Sequence, residues 1–304
     1  MATEPLLRMD SLFAYHQLAG LPKPSHPLIS VVRFEDIRPR AGNQPKSIVN
    51  NFYSIALKRN FSGRLKYGQQ PYDFDNGVMV FLAPGQVLTV AADETHEHTG
   101  WLLMIHADFL WHTPLSKTIR QYAYFDYSVH EALFLSEKEE SVIEGIIQQI
   151  QQEYLAPIDQ FSQPIIIAQL GVLLNYAERF YQRQFLTRKI SNHTILDRFE
   201  AVLEAYFVSD ELGKTGLPTV GYMAEQLNLS PTYLSSLLKT LTGQNTQQHI
   251  HDKLINQAKQ MLSTTNLSVS EIAYRLGFEH PQSLSKLFKR KTNASPAAFR
   301  HSFN

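Results

Sequence analysis

The stretches SPTYLSSLLK (230–239) and HPQSLSKLFK (280–289) repeat one pattern fifty residues apart. Both have a proline in second place, leucines in fifth and eighth place, and a final lysine. The likeness continues upstream, where VGYMAEQLNL from Val220 matches VSEIAYRLGF from Val269. Self-similarity of this kind marks a repeated structural unit.

Each copy predicts two short helices joined by a tight turn. Apolar residues recur at i, i+3, i+4 and i+7 over the first helix, which is the pattern of one buried helix face. Asn228 and Gly277 suit the left-handed residue that ends a helix, while Pro231 and Pro281 suit the first turn of the next one. The sequence therefore predicts two helix-turn-helix units, at about 220–242 and 269–292.

Helical periodicity also predicts which side chains of the second helix in each unit face outward. They are small, polar or cationic, and none is acidic, so both faces suit the major groove of DNA. In the first unit these residues are Thr232, Tyr233, Ser235, Ser236 and Lys239, and in the second they are Gln282, Ser283, Lys286, Lys289 and Arg290. The alternative is a pair of amphipathic hairpins that pack a helical bundle and turn a solvated face outward.

Residues 246–262 between the units read as one helix with four residues facing inward: Ile250, Leu254, Ala258 and Met261. At about 1.5 Å per residue this helix spans roughly 25 Å. A connection of that length can hold two DNA-reading helices about one turn of the duplex, roughly 34 Å, apart. One chain would then read two successive segments of the major groove.

Composition bounds the broad class of protein. A chain of 304 residues with 43% hydrophobic content favours two domains with ordinary cores. It has no apolar run of membrane-spanning length and no signal-like N-terminus, so we expect a cytoplasmic protein without a membrane partner. The absence of cysteine excludes disulfides and thiol nucleophiles. The formal net charge is zero, but residues from Thr219 onward carry nine Lys/Arg against four Asp/Glu, which indicates a polyanionic partner for this part.

Residues from about Ile195 to Phe299 resemble the DNA-binding domain of the AraC/XylS family of bacterial transcription regulators. The matching stretches are QAKQMLSTTNLSVSEIA (257–273), IAYRLGF (272–278), SLSKLFKRKT (283–292) and ASPAAFR (294–300). Leu284 and Asn293 stand where the family often has Phe and Gly, although Asn can supply the same left-handed helix end. The resemblance implies a domain at 194–304 that binds double-stranded DNA, in a regulator that is not an enzyme. RNA polymerase is a further candidate partner of such a regulator.

The N-terminal part predicts an all-β barrel or sandwich, because short apolar runs alternate with Gly, Pro, Asn and Asp. The runs are ISVVRF (29–34), VNNFYSIAL (49–57), GRLKYG (63–68), GVMVFLAPG (77–85), QVLTVAA (86–92) and GWLLMIH (100–106). The APG turn, the strand after it and GWLLMI resemble the cupin-like sensor domain often joined to this DNA-binding domain. We therefore expect a sensor domain at 1–190, with a barrel at about 25–112 and helices at 113–185.

The helices after the barrel bear on assembly. Thr113-Pro114 predicts one helix start, and Ser136 with Glu139 predicts a capping box. Residues 162–185 form a helix with a broad apolar face, and in related regulators such helices pair two subunits. A homodimer is one interpretation, and a helix packed on its own barrel is the other. The polar stretch LTRKISNH (186–193) is predicted to be a linker.

The resemblance implies a small-molecule effector, and four aromatic residues are candidates to line its pocket: Tyr53, Phe74, Phe81 and Trp101. Their alternative role is to fill the core.

Residue types that can ligate a metal are His96, Glu97 and His98 in THEHTGW (95–101), followed by His106. If 95–101 were a strand, the His-x-His spacing would put two imidazoles on one face. This stretch reads as a polar loop, and the strand after Pro84-Gly85 carries no histidine. The sequence therefore predicts no metal and no cofactor. The competing hypothesis is a metal-dependent cupin enzyme fused to DNA-binding repeats.

Overall fold

The computed structural model describes residues 6–38, 47–59, 77–89, 99–128, 131–187, 189–209, 212 and 215–302. The chain divides into two compact units, Met1–Gln184 and Phe185–Asn304, called here the N-terminal and C-terminal units. None of the described helices is long and apolar enough to cross a bilayer.

The N-terminal unit contains two β-sheets. A three-stranded sheet has the order β1-β3-β6, formed by Leu6–Met9, Ser47–Asn50 and Val87–Thr89, with β1 parallel to β3. An antiparallel sheet has the order β2-β7-β4-β5-β8, formed by Ile29–Arg33, Thr99–His106, Phe52–Arg59, Val78–Leu82 and Leu133–Phe134. The prediction of a β-rich N-terminal region is thus confirmed. The described strands form two sheets and no closed barrel, so the cupin-like barrel is not established.

The strand predictions missed β1 and β8, which lie outside the predicted barrel at about 25–112, and they missed one interruption within a predicted run. The run 49–57 forms parts of both β3 and β4, because the chain breaks the ladder at Asn51, whose backbone N–H donates to the Met9 carbonyl at 2.9 Å. The predicted strand at 63–68 lies outside the described residues, as does the later part of 86–92.

The two faces of β4 serve different cores, since successive side chains point to opposite sides. Phe52 and Ala56 lie in one buried cluster with residues of β1, β3, β7 and the helix α1, Leu12–Ala19. The opposite face of the five-stranded sheet is covered by helical segments. There the Trp101 indole N–H donates to Glu144 at 3.1 Å, and the Tyr53 ring meets the Phe125 ring edge-on.

The helical cover consists of α2 (Leu115–Thr118), α3 (Glu137–Leu155) and α4 (Ser162–Thr187). The predicted capping box of Ser136 and Glu139 is confirmed at the start of α3. The predicted cap by Thr113 is wrong, because its hydroxyl donates back to the Leu110 carbonyl at 2.6 Å.

The predicted linker at 186–193 is largely helical. Helix α4 continues to Thr187, and α5 (Lys189–Val208) begins two residues later. The stretch is predicted to be a linker because most of its residues are polar. One of them, Asn192, is nevertheless buried, and its side-chain amide donates to the Phe185 carbonyl. A polar side chain inside a helix is tolerated where its hydrogen bonds are made internally.

Both predicted helix-turn-helix units are present in the C-terminal unit. The helices are α6 (Val220–Leu227), α7 (Pro231–Thr242), α8 (Thr246–Thr264), α9 (Val269–Arg275), α10 (Pro281–Thr292) and α11 (Pro296–His301). The turns have the predicted left-handed residues, with φ of 56° at Asn228 and 78° at Gly277. Gly243 and Asn293 end α7 and α10 in the same conformation.

Two left-handed glycines of this unit, Gly277 in the second turn and Gly243 at the end of α7, differ in how closely other backbone atoms approach them. A Cβ atom at Gly277 would lie 2.9 Å from the Leu212 carbonyl oxygen and 3.0 Å from the Gly216 carbonyl carbon. At Gly243, which has a similar φ of 79°, a Cβ atom would meet nothing within 4 Å. The second unit therefore needs glycine for space as well as for conformation.

We predict that Gly277→Ala destabilises the C-terminal unit more than Gly243→Ala does. The left-handed conformation costs either alanine about 1–2 kcal/mol, and the backbone contacts at Gly277 add about 1 kcal/mol or more. Urea unfolding followed by far-ultraviolet circular dichroism measures the difference. Both tryptophans, Trp101 and Trp111, lie in the N-terminal unit, so their fluorescence is an internal control. Equal effects of the two substitutions would contradict the close approach.

Candidate nucleic-acid interface

The helices α7 and α10 begin and end at well-defined residues, which fixes the direction of their side chains. The Ser230 hydroxyl accepts a hydrogen bond from the Tyr233 backbone N–H at 3.2 Å, and Pro231 occupies the first turn of α7. Pro281 occupies the same place in α10, where the preceding His280 makes no side-chain cap. Leu284, Leu287 and Phe288 of α10 are buried, so the opposite face of that helix is turned outward.

The predicted outward face of α7 is only partly available. Thr232, Ser235 and Ser236 are half-buried and Lys239 is exposed. The Ser235 hydroxyl lies 3.0 Å from the hydroxyl of Thr246, a fully buried residue at the start of α8. Ser235 therefore joins α7 to α8 within the domain.

Tyr233 is a correction to the predicted site. Its side chain is only 1% exposed, and its ring packs edge-on against Phe185 with the centroids 5.2 Å apart. A short amphipathic helix can bury more than its main apolar stripe, and the aromatic ring next to Leu234 extends that stripe. Tyr233 belongs to the core of the C-terminal unit.

The predicted outward residues of α10 are all exposed: Gln282, Ser283, Lys286, Lys289 and Arg290. In the part of the chain that the structure describes, none of these side chains is engaged in a hydrogen bond or an ion pair. The first turn of α10 holds no acidic residue, and its last turn holds three basic ones. Cations there interact favourably with the helix C-terminus, so the helix presents a polar start and a cationic end.

Lys291 has a different role from its two basic neighbours. Its ammonium lies 2.6 Å from Oδ1 of Asp252, while the Gln244 side-chain amide donates to Oδ2 of the same carboxylate at 2.9 Å. Asp252 thus connects the turn after α7, the helix α8 and the end of α10. Sequence reasoning missed this junction, since residues so far apart along the chain carry no shared periodicity.

A second junction closes the end of α8. The Arg300 guanidinium on α11 donates to the carbonyls of Leu262 and Leu267, which flank the end of that helix. Carbonyls at a helix C-terminus lack intrahelical partners, and a cationic donor satisfies them. The motif ASPAAFR contains this arginine, but the sequence alone did not indicate its partners.

Helix α8 carries two partly buried histidines, His249 and His251. Partial burial lowers the pKa of His251 below its usual value, and the nearby cations Arg290 and Lys291 lower it further, against an opposing effect of Asp252. Burial also lowers the pKa of His249, against Asp252 and Glu200. The neutral forms of both histidines are therefore favoured in the folded unit.

The candidate effector residues fall into different environments. Phe81 and Trp101 are almost fully buried on the helix-covered face of the five-stranded sheet, where Phe81 packs on Tyr124 and Phe125. They are core residues. Tyr53 lines a cleft of about 350 Å³ on the same face, whereas Phe74 lies outside the described residues.

The candidate metal ligands are not assembled in the described structure. Residues 96–98 lie outside the described part, and the ring of His106 is half-buried beside Asp108. Among the described residues, no three His, Asp or Glu side chains converge as metal ligands would.

Comparison with known proteins supports the assignment of the C-terminal unit. The family model of the helix-turn-helix domain matches residues 223–302. The chain is 28% identical over 157 residues to the arabinose operon regulatory protein of Escherichia coli (strain K12), covering 47% of this chain and 53% of that protein. The C-terminal unit thus contains a helix-turn-helix domain.

Two other relatives match this chain over different lengths. The chain is 25% identical over 263 residues to the HTH-type transcriptional activator RhaS of Salmonella schwarzengrund (strain CVM19633), covering 83% of this chain and 86% of that protein. It is 39% identical over 84 residues to the raffinose operon transcriptional regulatory protein RafR of Pediococcus pentosaceus, covering 28% and 30%. The match to the arabinose regulator spans about half of that protein's length. These three similar proteins are named as regulators of operons or of transcription.

We predict that the C-terminal unit loses stability as the pH falls below about 6.5, the ordinary histidine pKa. With the pKa of His251 lowered in the folded state, the unfolded chain takes up the proton first, so acid favours unfolding. His251→Gln should reduce this loss, and His280→Gln, at an exposed position, should not. Urea midpoints from circular dichroism at about pH 7.5 and 5.5 test this. An unchanged pH dependence in His251→Gln would contradict it.

Proposed function

We propose that this protein is a sequence-specific transcription regulator in which α7 and α10 read two successive segments of one major-groove face. The observation that carries the proposal is α10, whose five outward side chains are exposed, unpaired and free of acidic residues. Two such helices in tandem, both without acidic residues on the outward face, favour DNA binding over a merely solvated surface. Residues 1–190 would sense an effector, and residues 194–304 would bind DNA.

The order of side chains along α10 matches the parts of a DNA duplex that a groove-bound helix meets. Gln282 and Ser283 lie in the first turn, where a recognition helix contacts base edges. Gln offers a donor and an acceptor and can bind adenine through both. Lys289 and Arg290 lie in the last turn, where the helix leaves the bases and meets phosphate.

Helix α7 would make a smaller contribution to base reading. Thr232 and Ser236 are half-buried hydroxyl residues, and Lys239 is the exposed cation near the end of the helix. Helix α8, of 19 residues, links the two units. The Asp252 junction and the Ser235–Thr246 contact attach both DNA-reading helices to it, so their separation is set by a rigid element.

We predict that Gln282→Ala and Lys289→Ala fail in different ways. Loss of the adenine contact should cost about 1–3 kcal/mol and relax preference at one base position. Loss of a phosphate contact should weaken all DNA sequences about equally and lower the slope of log affinity against log salt by about 0.9. Sites selected from a random DNA pool, followed by titrations at several salt concentrations, measure both effects.

The matched control is Lys138→Ala, an exposed lysine on α3 of the N-terminal unit. It should leave both the base preference and the salt slope unchanged. If wild-type protein selects no sequence from the pool, the proposed function is wrong. If Lys289→Ala alters one base preference and not the salt slope, the proposed placement of α10 is wrong.

We propose further that the protein is a homodimer, through a face of α4 that differs from its core face. Ile166, Leu170, Leu173 and Leu174 are buried within the N-terminal unit, which supports packing of the helix on its own unit. A second stripe, Phe161, Ile165, Ala168 and Val172, runs along the outside at helical spacing.

This outer stripe is large for a solvated surface. Phe161, Ile165 and Val172 are 58%, 43% and 44% exposed, and Leu155 and Ile158 just before the helix are 63% and 66% exposed. A contiguous apolar patch of several large side chains marks an interaction surface. Two copies of one patch would form a two-fold interface, the commonest symmetry of soluble oligomers.

We predict that the double variant Ile165→Glu, Val172→Glu weakens dimerisation by about 100-fold or more, because each copy would bury unpaired carboxylates at the interface. Sedimentation equilibrium measures the change. The control is Gln148→Glu, Gln149→Glu, which adds the same charge on the exposed face of α3. A monomeric wild type, or a dimer unaffected by the charges on α4, would contradict the proposed interface.

A further inference from the structure

The cleft of about 350 Å³ in the N-terminal unit has the character of a small-molecule site. It opens between the start of β4, the turn after β5 and the segment 119–126. Its walls include Tyr53, Ile119, Tyr122 and Phe125, and its charged residues are Arg120 and Asp126. The volume is at the lower end of the range for small-molecule pockets, roughly 300–1,000 Å³.

Tyr53 contributes a hydroxyl to the wall of the cleft. The residue is only 7% exposed, and within the described residues its hydroxyl has no hydrogen-bond partner. Its ring is held edge-on to Phe125, with the centroids 5.1 Å apart. The hydroxyl itself is accessible to solvent at the cleft, so a bound ligand can replace water as its hydrogen-bond partner.

The segment that carries Phe125 is held in place by hydrogen bonds of the Gln86 side chain. The Gln86 side-chain amide donates to the Phe125 carbonyl at 2.6 Å, and its amide oxygen accepts from the Ala83 backbone N–H at 2.9 Å. Gln86 thereby ties the turn after β5 to the segment that carries Phe125. The cleft is preformed, which lowers the entropic cost of binding.

Two opposite charges flank the cleft without pairing. Arg120 and Asp126 are exposed, and in the described structure neither makes an ion pair or a side-chain hydrogen bond. Arg59 and Arg183 of the same unit are engaged, since Arg59 bonds Glu140 and Glu144 and Arg183 bonds Glu139. What distinguishes Arg120 from other exposed arginines is its place at the cleft, beside Asp126.

We propose that this cleft binds an α-amino acid with an apolar or aromatic side chain. The Arg120 guanidinium would receive the carboxylate and Asp126 the ammonium group. The ligand side chain would lie against the rings of Tyr53 and Phe125 and the apolar Ile119. This site lies on the helix-covered face of the sheet, away from the core between the two sheets. The inference names the effector class of the proposed regulator and rests on that proposal only for its role in control.

A zwitterion fits these groups better than a neutral polyol of the same size. Charge-assisted hydrogen bonds are roughly twice as strong as neutral ones, and a guanidinium binds a carboxylate in a bidentate manner. A neutral ligand would leave both charges without a counter-charge. An apolar ligand side chain also covers aromatic surface that a polyol would cover less completely.

The test is isothermal titration of the full-length protein, without DNA, with each standard L-amino acid. We use L-phenylalanine as the reference probe, phenylalaninamide as the probe without the carboxylate, and 3-phenylpropionate as the probe without the ammonium group. The amino acid should bind about tenfold or more tightly than either analogue. Arg120→Gln should abolish the preference over the amide, and Asp126→Asn the preference over phenylpropionate. Lys117→Gln, at an exposed position of α2, should change neither.

Three results would overturn the proposal. They are no binding of any standard amino acid up to about 10 mM, the same affinities in both variants as in wild type, and binding of a neutral sugar that is indifferent to Arg120. DNA affinity is measured separately with the same protein. If the amino acid binds as expected and DNA affinity does not respond to it, the site stands and effector control by this site is wrong. If the protein binds no DNA, the proposed function fails and the ligand site does not.

Discussion

The exposed faces of the C-terminal unit depend on one backbone conformation, the left-handed residue between the two helices of each repeat. With φ of 56° at Asn228 and 78° at Gly277, the chain reverses within a few residues and brings two apolar stripes together. The remaining face of α7 or α10 then has to turn outward. The repeats meet this requirement differently, since the first has room for an asparagine and the second has the Leu212 carbonyl against its glycine. Asparagine and glycine therefore supply the same left-handed conformation, and the backbone packed against Gly277 leaves no space for a side chain there.

The same geometry carries unequal chemistry in the two repeats. Helix α7 gives up Tyr233 to the core and Ser235 to a contact with α8, so few of its polar side chains are free. Helix α10 keeps its predicted outward residues exposed. Both helices are nevertheless fastened to α8, one through Thr246 and the other through Asp252. The side chains that hold each helix against α8 are therefore different from the exposed side chains that would contact DNA.

Local signals predicted much of this structure, and long-range contacts account for what they missed. The repeat, its caps and turns and the capping box at Ser136 depend on residues a few positions apart, so the sequence shows them directly. The burial of Tyr233 depends on Phe185, and the helical course of 189–193 depends on internal hydrogen bonding of Asn192. Neither is visible from periodicity. Likewise, aromatic residues suggested a pocket, but only the packing of the sheet separates Tyr53, beside a cleft, from Phe81 and Trp101 in the core.

Some basic side chains form ion pairs that hold the fold together, and others have no such pair in the described structure. Arg59, Arg183 and Lys291 each meet carboxylates that join two elements of one unit, and this fixes those elements in place. Arg120, Lys289 and Arg290 have no such partner in the described structure. An exposed cation costs little to leave in water, so its availability alone is weak support for a site. It becomes informative where geometry adds to it: a cleft lined by the rings of Tyr53 and Phe125 beside Arg120, and an exposed helix face without acidic residues around Lys289 and Arg290. In both places, the cations that have no carboxylate partner also lie at a surface whose shape could receive a ligand or DNA.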